Sequence, residues 1–300
     1  MDICNDIVKQ IIKDSTSEVR ADRRREKVFW PSDASVVLTT PFGHRIEGTC
    51  LRKLFYEYTK ASPTNICNPK YTLVQRAGKA WEVEILDILR KSEDLKIVST
   101  NEKFTHNVRN FTISGEFDVV IEKGGIIFGA DIKTTKGDYY DAKDVIRKGS
   151  GPKISNILQM MLYLDYVRNE RPEFANLWKI LYFGRSDGEA GEYDISLSSE
   201  GYPIIDGQLE QSININSIYD RFELLCTYLD LGVEPDRDYS LQWSQQETEK
   251  RFNEDSSFYP KFSYFKLSKT AMKKSDEGSI MGSAMCQLLC PFRDRCWPNF

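Results

Sequence analysis

The sequence lacks any hydrophobic run that approaches the roughly 18 apolar residues needed for a transmembrane helix. A secretory signal is not expected either, because the first residues, MDICNDIVKQIIKD, place acids and lysines among the apolar positions. Positive charge is not in excess, since the formal net charge is −4, although this value is compatible with a locally basic groove. These absences predict a cytoplasmic protein that does not bind membranes.

A nucleotide-binding loop of the G-x-x-x-x-G-K-[ST] type is also missing, so nothing predicts an ATP-driven motor. What the sequence does contain is seven cysteines, an odd number. In a cytoplasmic protein they favour reduced thiols or metal ligands over a disulfide framework. The 300 residues, 40% of them hydrophobic, are enough for one elaborated domain or two small ones.

Hydrophobic periodicity predicts helices over 1–27, 48–61, 73–94, 154–170 and 217–230. Four β-rich runs predict strands, at 111–122, 126–134, 177–185 and 187–197. The turn sequence KGG joins the first two runs. This order of elements predicts an α/β fold with a central mixed sheet flanked by helices.

The predicted hairpin carries a cluster of charged residues. Residues two apart in a strand share a face, so Asp131 and Lys133 project together, and Asp118 joins them from the other strand. Carboxylates crowded in this way repel one another unless a cation lies between them, and Mg²⁺ or Mn²⁺ suits oxygen ligands. A lysine at this position could orient a water or hold a phosphate oxygen. The alternative is an exposed sheet face with ordinary charges.

The register of this hairpin is part of the prediction. If KGG closes the turn with Ile121 opposite Ile126, Glu116 faces Asp131, and Asp118 is a diagonal neighbour of Asp131. A slip of one residue would send Asp118 to the other face of the sheet.

Three stretches together resemble the PD-(D/E)xK nuclease superfamily. SGEFDVVI and GGIIFGADIKT resemble its second and third motifs, in which Asp118, Asp131 and Lys133 match the positions that hold and serve the catalytic metal. RAGKAWEVE resembles the first motif of the RecB-like branch, where Gly78 is followed by Glu82 in place of the histidine of RecB. The resemblance implies a restriction-endonuclease-like core with Glu82, Asp118 and Asp131 as metal ligands.

Two further stretches resemble the same branch. NILQMMLYLDY is similar to its Q-x-x-x-Y helix, which implies that Gln159 and Tyr163 lie near the active centre. GTCLRKLFYEY and CQLLCPFRDRC resemble the cysteine motifs of the iron-sulfur nucleases, which include AddB, the eukaryotic replication helicase-nucleases and the CRISPR-associated exonucleases of the Cas four family. The ligands implied by this resemblance are Cys50, Cys286, Cys290 and Cys296.

The resemblance implies a 4Fe-4S cluster that joins the N- and C-terminal segments. The closing spacing is C-x3-C-x5-C, where the family pattern is C-x2-C-x5-C. Zinc and unliganded cysteines are the alternatives, because four thiolates suit either metal. Of the remaining cysteines, Cys226 is expected in the core, and Cys67 is a weaker substitute for Cys50. The expected organisation is a single RecB-like domain with an N-terminal helical region (1–72), a catalytic core (73–185) and a C-terminal region (186–300).

The function implied is a metal-dependent DNA exonuclease acting on single-stranded DNA or DNA ends, in a bacterium or in the host cell of a virus. Its partners would be recombination, replication, repair or CRISPR-adaptation proteins. The alternatives are a catalytically silent DNA-end-binding or assembly subunit and a restriction-type endonuclease. Tyr139 and Tyr140 are candidates for stacking on bases. Basic residues that flank the motifs and could line a strand-binding groove are Arg52, Lys53, Arg76, Lys79, Lys136, Arg147, Lys148 and Lys153.

Overall fold

The computed structural model describes residues 10, 27–40, 43–65, 69–135, 145–146, 151–186, 188–239, 242–243, 280–281 and 290–298. The strands within these residues are β1 (Val28–Phe29), β2 (Ser35–Thr40), β3 (Gly43–Gly48), β4 (Lys96–Val108), β5 (Phe111–Lys123), β6 (Ile126–Thr135), β7 (Phe174–Gly184), β8 (Ala190–Leu197), β9 (Pro203–Ile205), β10 (Gln208–Leu209), β11 (Gln242–Trp243) and β12 (Ile280–Met281). The helices are a short 3₁₀ helix (Pro31–Asp33), α1 (Leu51–Tyr58), α2 (Pro69–Arg90), α3 (Ile154–Glu170), α4 (Ile215–Leu231) and α5 (Arg293–Cys296).

Eight of the described strands form one mixed sheet. Its order is β1-β5-β6-β7-β8-β9-β10, and β4 pairs with β5. The β1–β5 and β6–β7 pairs are parallel, and the other pairs of this sheet are antiparallel. Because β4 covers one edge of β5 along most of its length, β1 and β6 share the other edge. The stretch 114–118 of β5 lies between these two partners.

Helices cover both faces of the sheet, as the sequence predicts. On one face Leu158 of α3 and Trp178 of β7 belong to the larger apolar core, in which both side chains are fully buried. On the other face Ile85 and Leu86 of α2 pack with Val119 of β5 in a smaller core. The predicted helix over 154–170 is confirmed at both ends by α3. No helix in the described ranges is both long and apolar enough to cross a membrane.

The β5–β6 hairpin is present, but its predicted register is wrong by two residues. Lys123 pairs with Ile126, and Ile121 pairs with Phe128. The turn contains only Gly124 and Gly125, both with positive φ (60° and 80°), which is the backbone of a tight two-residue hairpin turn that favours glycine. A shift of two residues preserves the side on which each side chain of a regular strand projects, so Asp131 and Lys133 still share one face.

The region 1–72, expected to be helical, also contains strands in its described part. β1 and the hairpin β2–β3 lie there, with Ser35 opposite Gly48 and Thr40 opposite Gly43. The β-branched residues of the sequence SVVLTT favour this extended structure. The helix expected over 48–61 is confirmed as α1, whereas the helix expected over 1–27 lies almost entirely outside the described residues.

Candidate active site

The charged residues of the hairpin lie where β5 and β6 separate. The ladder between these strands runs from the turn as far as Val119 opposite Ala130. Beyond this pair a side chain replaces the backbone as the hydrogen-bond acceptor, because the Ile132 amide donates to Asp118 Oδ2 at 2.8 Å. Phe117 and Val119 belong to different apolar cores, so the regular alternation of β5 is interrupted at Asp118. We call this opening between the strands the fork.

Asp131 and Lys133 project into the fork from β6. Asp131 is fully buried, and Lys133 Nζ lies 2.5 Å from its Oδ2 atom. Apart from this ion pair, neither carboxylate oxygen of Asp131 receives a hydrogen bond within the described part of the chain. A buried carboxylate without N–H donors is unfavourable unless a cation compensates its charge. Lys133 compensates one carboxylate, and the neighbouring Asp118 adds a second, so Lys133 alone does not balance the negative charge of the fork.

Burial and neighbouring charges shift the pKa values in the fork. Burial raises the pKa of Asp118 well above its ordinary value, the neighbouring Asp131 carboxylate adds to this shift, and Lys133 opposes it. Burial alone would lower the pKa of Lys133, but the charges of Asp131 and Asp118 outweigh burial and raise it. Lys133 is thus a cation at neutral pH. A bound divalent ion would favour the ionised form of both acids.

Helix α2 brings Glu82 toward the fork. A Cβ atom on Gly78 would lie 3.0 Å from Thr134 Oγ1, so the helix approaches β6 at a distance that glycine permits. Glu82, one turn later, is half-buried. Burial raises the pKa of Glu82, Lys79 opposes the shift, and the charge of Asp131 adds to it. Glu84, two residues further along the helix, is exposed.

Helix α3 holds Lys133 from the other side. Lys133 Nζ donates to Gln159 Oε1 at 3.1 Å, and Gln159 Nε2 donates to Tyr163 Oη at 2.7 Å. The Tyr163 hydroxyl in turn donates to the carbonyl of Glu116 at 3.1 Å. The predicted pair Gln159 and Tyr163 therefore forms a continuous chain of hydrogen bonds from the ammonium group to the backbone of β5.

The sequence motifs do not identify Asn156 and Tyr182. Asn156 Nδ2 donates to the Tyr182 hydroxyl at 2.6 Å, and the backbone amide of Lys153 donates to the same oxygen at 3.2 Å. Tyr182 of β7 is the register partner of Lys133. Asn156 stands three residues before Gln159, which is a local signal for a shared helix face, but no local signal places Tyr182 beside Lys133.

The oxygen atoms that could hold a divalent ion belong to Asp118, Asp131 and Glu82. The oxygens of Asp131, which receive no hydrogen bond from described residues, fit a hard cation best. Among the residues that the structure describes, no three His, Cys, Asp or Glu side chains form a complete metal-binding group. Carboxylate oxygens of this kind fit an ion such as Mg²⁺, which keeps several water ligands.

Three of the four predicted cluster cysteines lie in one region, whereas Cys286 lies outside the described residues. Cys50 precedes α1, and burial raises its pKa to about 11, with Asp238 and then Cys290 adding to the shift. Burial also raises the pKa of Cys290. Arg52 Nη1 lies 3.8 Å from Cys296 Sγ. In the described ranges these thiols do not form a metal-binding group, and a metal bridge between the terminal segments is not shown.

The C-terminal segment packs against α1 and the residues that follow it. The amides of Thr64 and Asn65 donate to the Pro291 carbonyl at 2.8 and 2.9 Å. Phe292 is buried and contacts the ring of Tyr56, with 5.3 Å between ring centroids. Non-covalent contacts therefore join the region of Cys50 to the C-terminal segment. Cys226 is buried in the core as expected, and Cys67 lies outside the described residues.

The flanking basic residues have different environments. Arg52 Nε donates to the Pro235 carbonyl at 2.6 Å, and Lys53 forms an ion pair with Glu57, so both already have protein partners. The exposed members are Arg76, Lys79 and Lys153. The remaining basic and aromatic candidates lie outside the described residues, namely Lys136, Tyr139, Tyr140, Arg147 and Lys148.

Comparison with known proteins indicates the family to which this chain belongs. A search of curated protein sequences finds no match to the chain. Among solved structures, the crystal structure of SSO0001 is 16% identical in sequence and has a TM-score of 0.43, with 73% of this chain and 86% of that chain covered. The sequence profile of the PD-(D/E)XK nuclease superfamily matches residues 49–297, which include the fork and the residues from Cys50 to Cys296. Because this match covers most of the chain, the protein belongs to the PD-(D/E)XK nuclease superfamily.

Proposed function

We propose that this protein is a metal-dependent DNA exonuclease that hydrolyses phosphodiester bonds in single-stranded DNA or at DNA ends. The observation that carries the proposal is the convergence of Asp118, Asp131 and Lys133 in the fork, where buried carboxylates lack sufficient positive charge. Membership of the superfamily supports metal-dependent nuclease chemistry. The exonuclease mode is supported by the likeness of the Gln159 and Tyr163 helix to that of RecB-like nucleases.

In this proposal Asp118, Asp131 and Glu82 hold Mg²⁺ or Mn²⁺. When bound, such an ion supplies Lewis-acid polarisation of the phosphate and activation of a water molecule. In the metal-free protein the adjacent carboxylates raise the pKa of Lys133. In this proposal its ammonium group donates to a phosphate oxygen, where negative charge grows in the transition state. Gln159 fixes the direction of its ammonium group.

We further propose that Cys50, Cys286, Cys290 and Cys296 bind a 4Fe-4S cluster, with zinc as the alternative. The support is the nearness of Cys50, Cys290 and Cys296 and the packing of the C-terminal segment against α1. Thiolates suit either metal. Such a site would connect parts of the chain that are far apart in sequence, so its role would be structural. Iron, sulfide and zinc analysis of purified protein distinguishes the two, and absence of all three contradicts both.

The proposed setting follows from the same likeness. The protein would act as a single nuclease domain, with its catalytic core at 73–185 between the regions 1–72 and 186–300. It would work in the cytoplasm of a bacterium or of a virus-infected host cell. Its partners would be DNA and proteins of recombination, replication, repair or CRISPR adaptation.

The test is cleavage of end-labelled single-stranded, linear duplex and closed circular DNA, with and without Mn²⁺. Asp131→Asn and Lys133→Met should abolish cleavage, because they remove the buried carboxylate and its cation. Asp194→Asn is the matched control, since Asp194 is an acid on β8 that pairs with Lys179 away from the fork. Metal-dependent loss of linear DNA only, retained in the control variant, supports the exonuclease.

The other outcomes separate the alternatives. Discrete cuts in closed circles would contradict the exonuclease mode and favour a restriction-type endonuclease. Metal-dependent binding of DNA ends without cleavage would favour a catalytically silent subunit. Cleavage that survives Asp131→Asn would show that the fork is not the active site.

A further inference from the structure

Helix α3 carries a polar stripe where it faces the fork, between apolar side chains. Asn156, Gln159 and Tyr163 follow at intervals of three and four residues, so their side chains lie above one another on one face. The intervening residues Leu158, Met160 and Met161 are fully buried. Polar groups in such surroundings are favourable only when each finds a hydrogen-bond partner. The stripe therefore specifies how the helix sits on the sheet.

Each residue of the stripe bonds to a different strand. Asn156 donates to the Tyr182 hydroxyl of β7, and Gln159 accepts from Lys133 of β6. Tyr163 donates to the backbone of β5 at Glu116. Neighbouring strands are thus bound in succession, and the central contact is the one that holds the ammonium group in the fork.

Tyr182 anchors the end of this row nearest the start of the helix. Its side chain is almost completely buried, and its oxygen accepts hydrogen bonds from Asn156 Nδ2 and from the amide of Lys153, which immediately precedes α3. Removal of the hydroxyl leaves both donors without this acceptor. Since Tyr182 and Lys133 are register partners in parallel strands, the anchor lies beside the ammonium group that α3 must hold.

We infer that Tyr182 and Asn156 are positioning residues for the reaction, which act through α3 and Gln159 on the direction of the Lys133 ammonium group. The inference rests on the proposed function. A helix turn is rigid, so release of the first turn displaces Gln159, three residues further along. A displacement of about 1 Å in a catalytic group lowers rates by up to about 100-fold.

The experiment compares Tyr182→Phe with Tyr193→Phe. Tyr193 is also buried on this side of the sheet, contacts the ring of Tyr182, and donates its hydroxyl to the Val145 carbonyl. We expect Tyr182→Phe to lower the single-turnover cleavage rate by about 10-fold to 100-fold and to leave DNA affinity in Ca²⁺ within about twofold. Tyr193→Phe should leave the rate within about twofold, since its hydroxyl does not bond to the stripe.

A double-mutant cycle distinguishes positioning from general destabilisation. In the Gln159→Ala background Tyr182→Phe should have little further effect on the rate, because the group through which it acts is gone. Additive losses in the cycle, or equal losses in Tyr182→Phe and Tyr193→Phe, would overturn the inference.

A wild-type protein that cleaves no DNA would refute the proposed function, and the inference is then decided by NMR. The Lys133 ammonium resonance, assigned by its loss in Lys133→Met, should shift in Tyr182→Phe and stay in place in Tyr193→Phe. An unchanged resonance in Tyr182→Phe would overturn the inference independently of activity.

Discussion

Replacement of Lys133 by methionine tests the electrostatics of the fork directly. The change keeps an unbranched side chain but removes the cation that lies 2.5 Å from the fully buried Asp131 carboxylate. Loss of one partner of a buried ion pair leaves an uncompensated charge and costs about 3–5 kcal/mol of folding free energy. Because 27% of the Lys133 side chain is exposed, water screens part of this loss. We therefore expect a value near the lower limit, about 3 kcal/mol.

The measurement is urea unfolding of the metal-free protein in EDTA at neutral pH. In a thermal scan the same loss lowers the Tm by roughly 5–10 °C. Lys179→Met is the matched control, because Lys179 pairs with Asp194 and Glu192, whose side chains are 48% and 59% exposed. Exposed pairs of this kind contribute about 0–1 kcal/mol, so the control should be nearly as stable as the wild type.

The destabilisation should also depend on pH. Burial and Asp131 already hold the pKa of Asp118 above its ordinary value, and removal of Lys133 raises it further. An acid whose pKa is higher in the folded than in the unfolded protein destabilises the fold above the folded pKa, and this penalty disappears as the pH falls below the unfolded value. The loss of stability in Lys133→Met should thus be smaller at acid pH. Adding Asp131→Asn should restore most of the lost stability at neutral pH. An equal loss at both pH values, or no recovery in the double variant, would refute this reasoning.

Three further predictions follow from other contacts. Gly129→Ala should destabilise the protein by about 3 kcal/mol in urea unfolding, because a Cβ atom there would lie 2.2 Å from the Trp178 ring; unchanged stability would show that the ring moves aside. Cys290→Ser should lower thermal stability and abolish bound iron or zinc, whereas Cys226→Ser should retain the metal; equal metal content in both would contradict the cysteine site. Asp118→Asn should stabilise the metal-free protein at neutral pH, since burial and then Asp131 disfavour the ionised carboxylate. The same variant should not cleave DNA. A variant that is less stable than the wild type in EDTA would contradict this account.

The sequence predicts those parts of the fold that depend on local periodicity. The helix expected over 154–170 has these bounds in the structure, since its apolar residues continue without a breaker from Ile154 to Val167. The side on which Asp131 and Lys133 project also follows from local rules, because alternation along β6 fixes it once the hairpin is recognised.

Local rules do not determine the partner of each strand. β4 (Lys96–Val108) was not predicted, because its sequence KIVSTNEKFTHNV carries many polar residues, and it becomes a strand by pairing along β5. The hairpin register was wrong because the number of residues in a turn depends on backbone conformation. Tyr182 was missed for the same kind of reason, since its nearness to Asn156 arises only when α3 packs on β7.

The fork itself could not be predicted, because it departs from the regular structure that sequence patterns describe. In a continuous ladder the Ile132 amide would bond to the backbone of β5, whereas here it bonds to the Asp118 carboxylate. The exchange keeps the amide satisfied and holds the Asp118 carboxylate beside β6, where the charge of Asp131 acts on it. The rigid surroundings make this irregularity possible, since Phe117, Trp178 and Tyr163 pack tightly on one another beside it. The buried core thus holds the backbone in an arrangement that the charged groups alone would oppose, and the resulting shortage of positive charge is what favours the binding of a divalent ion.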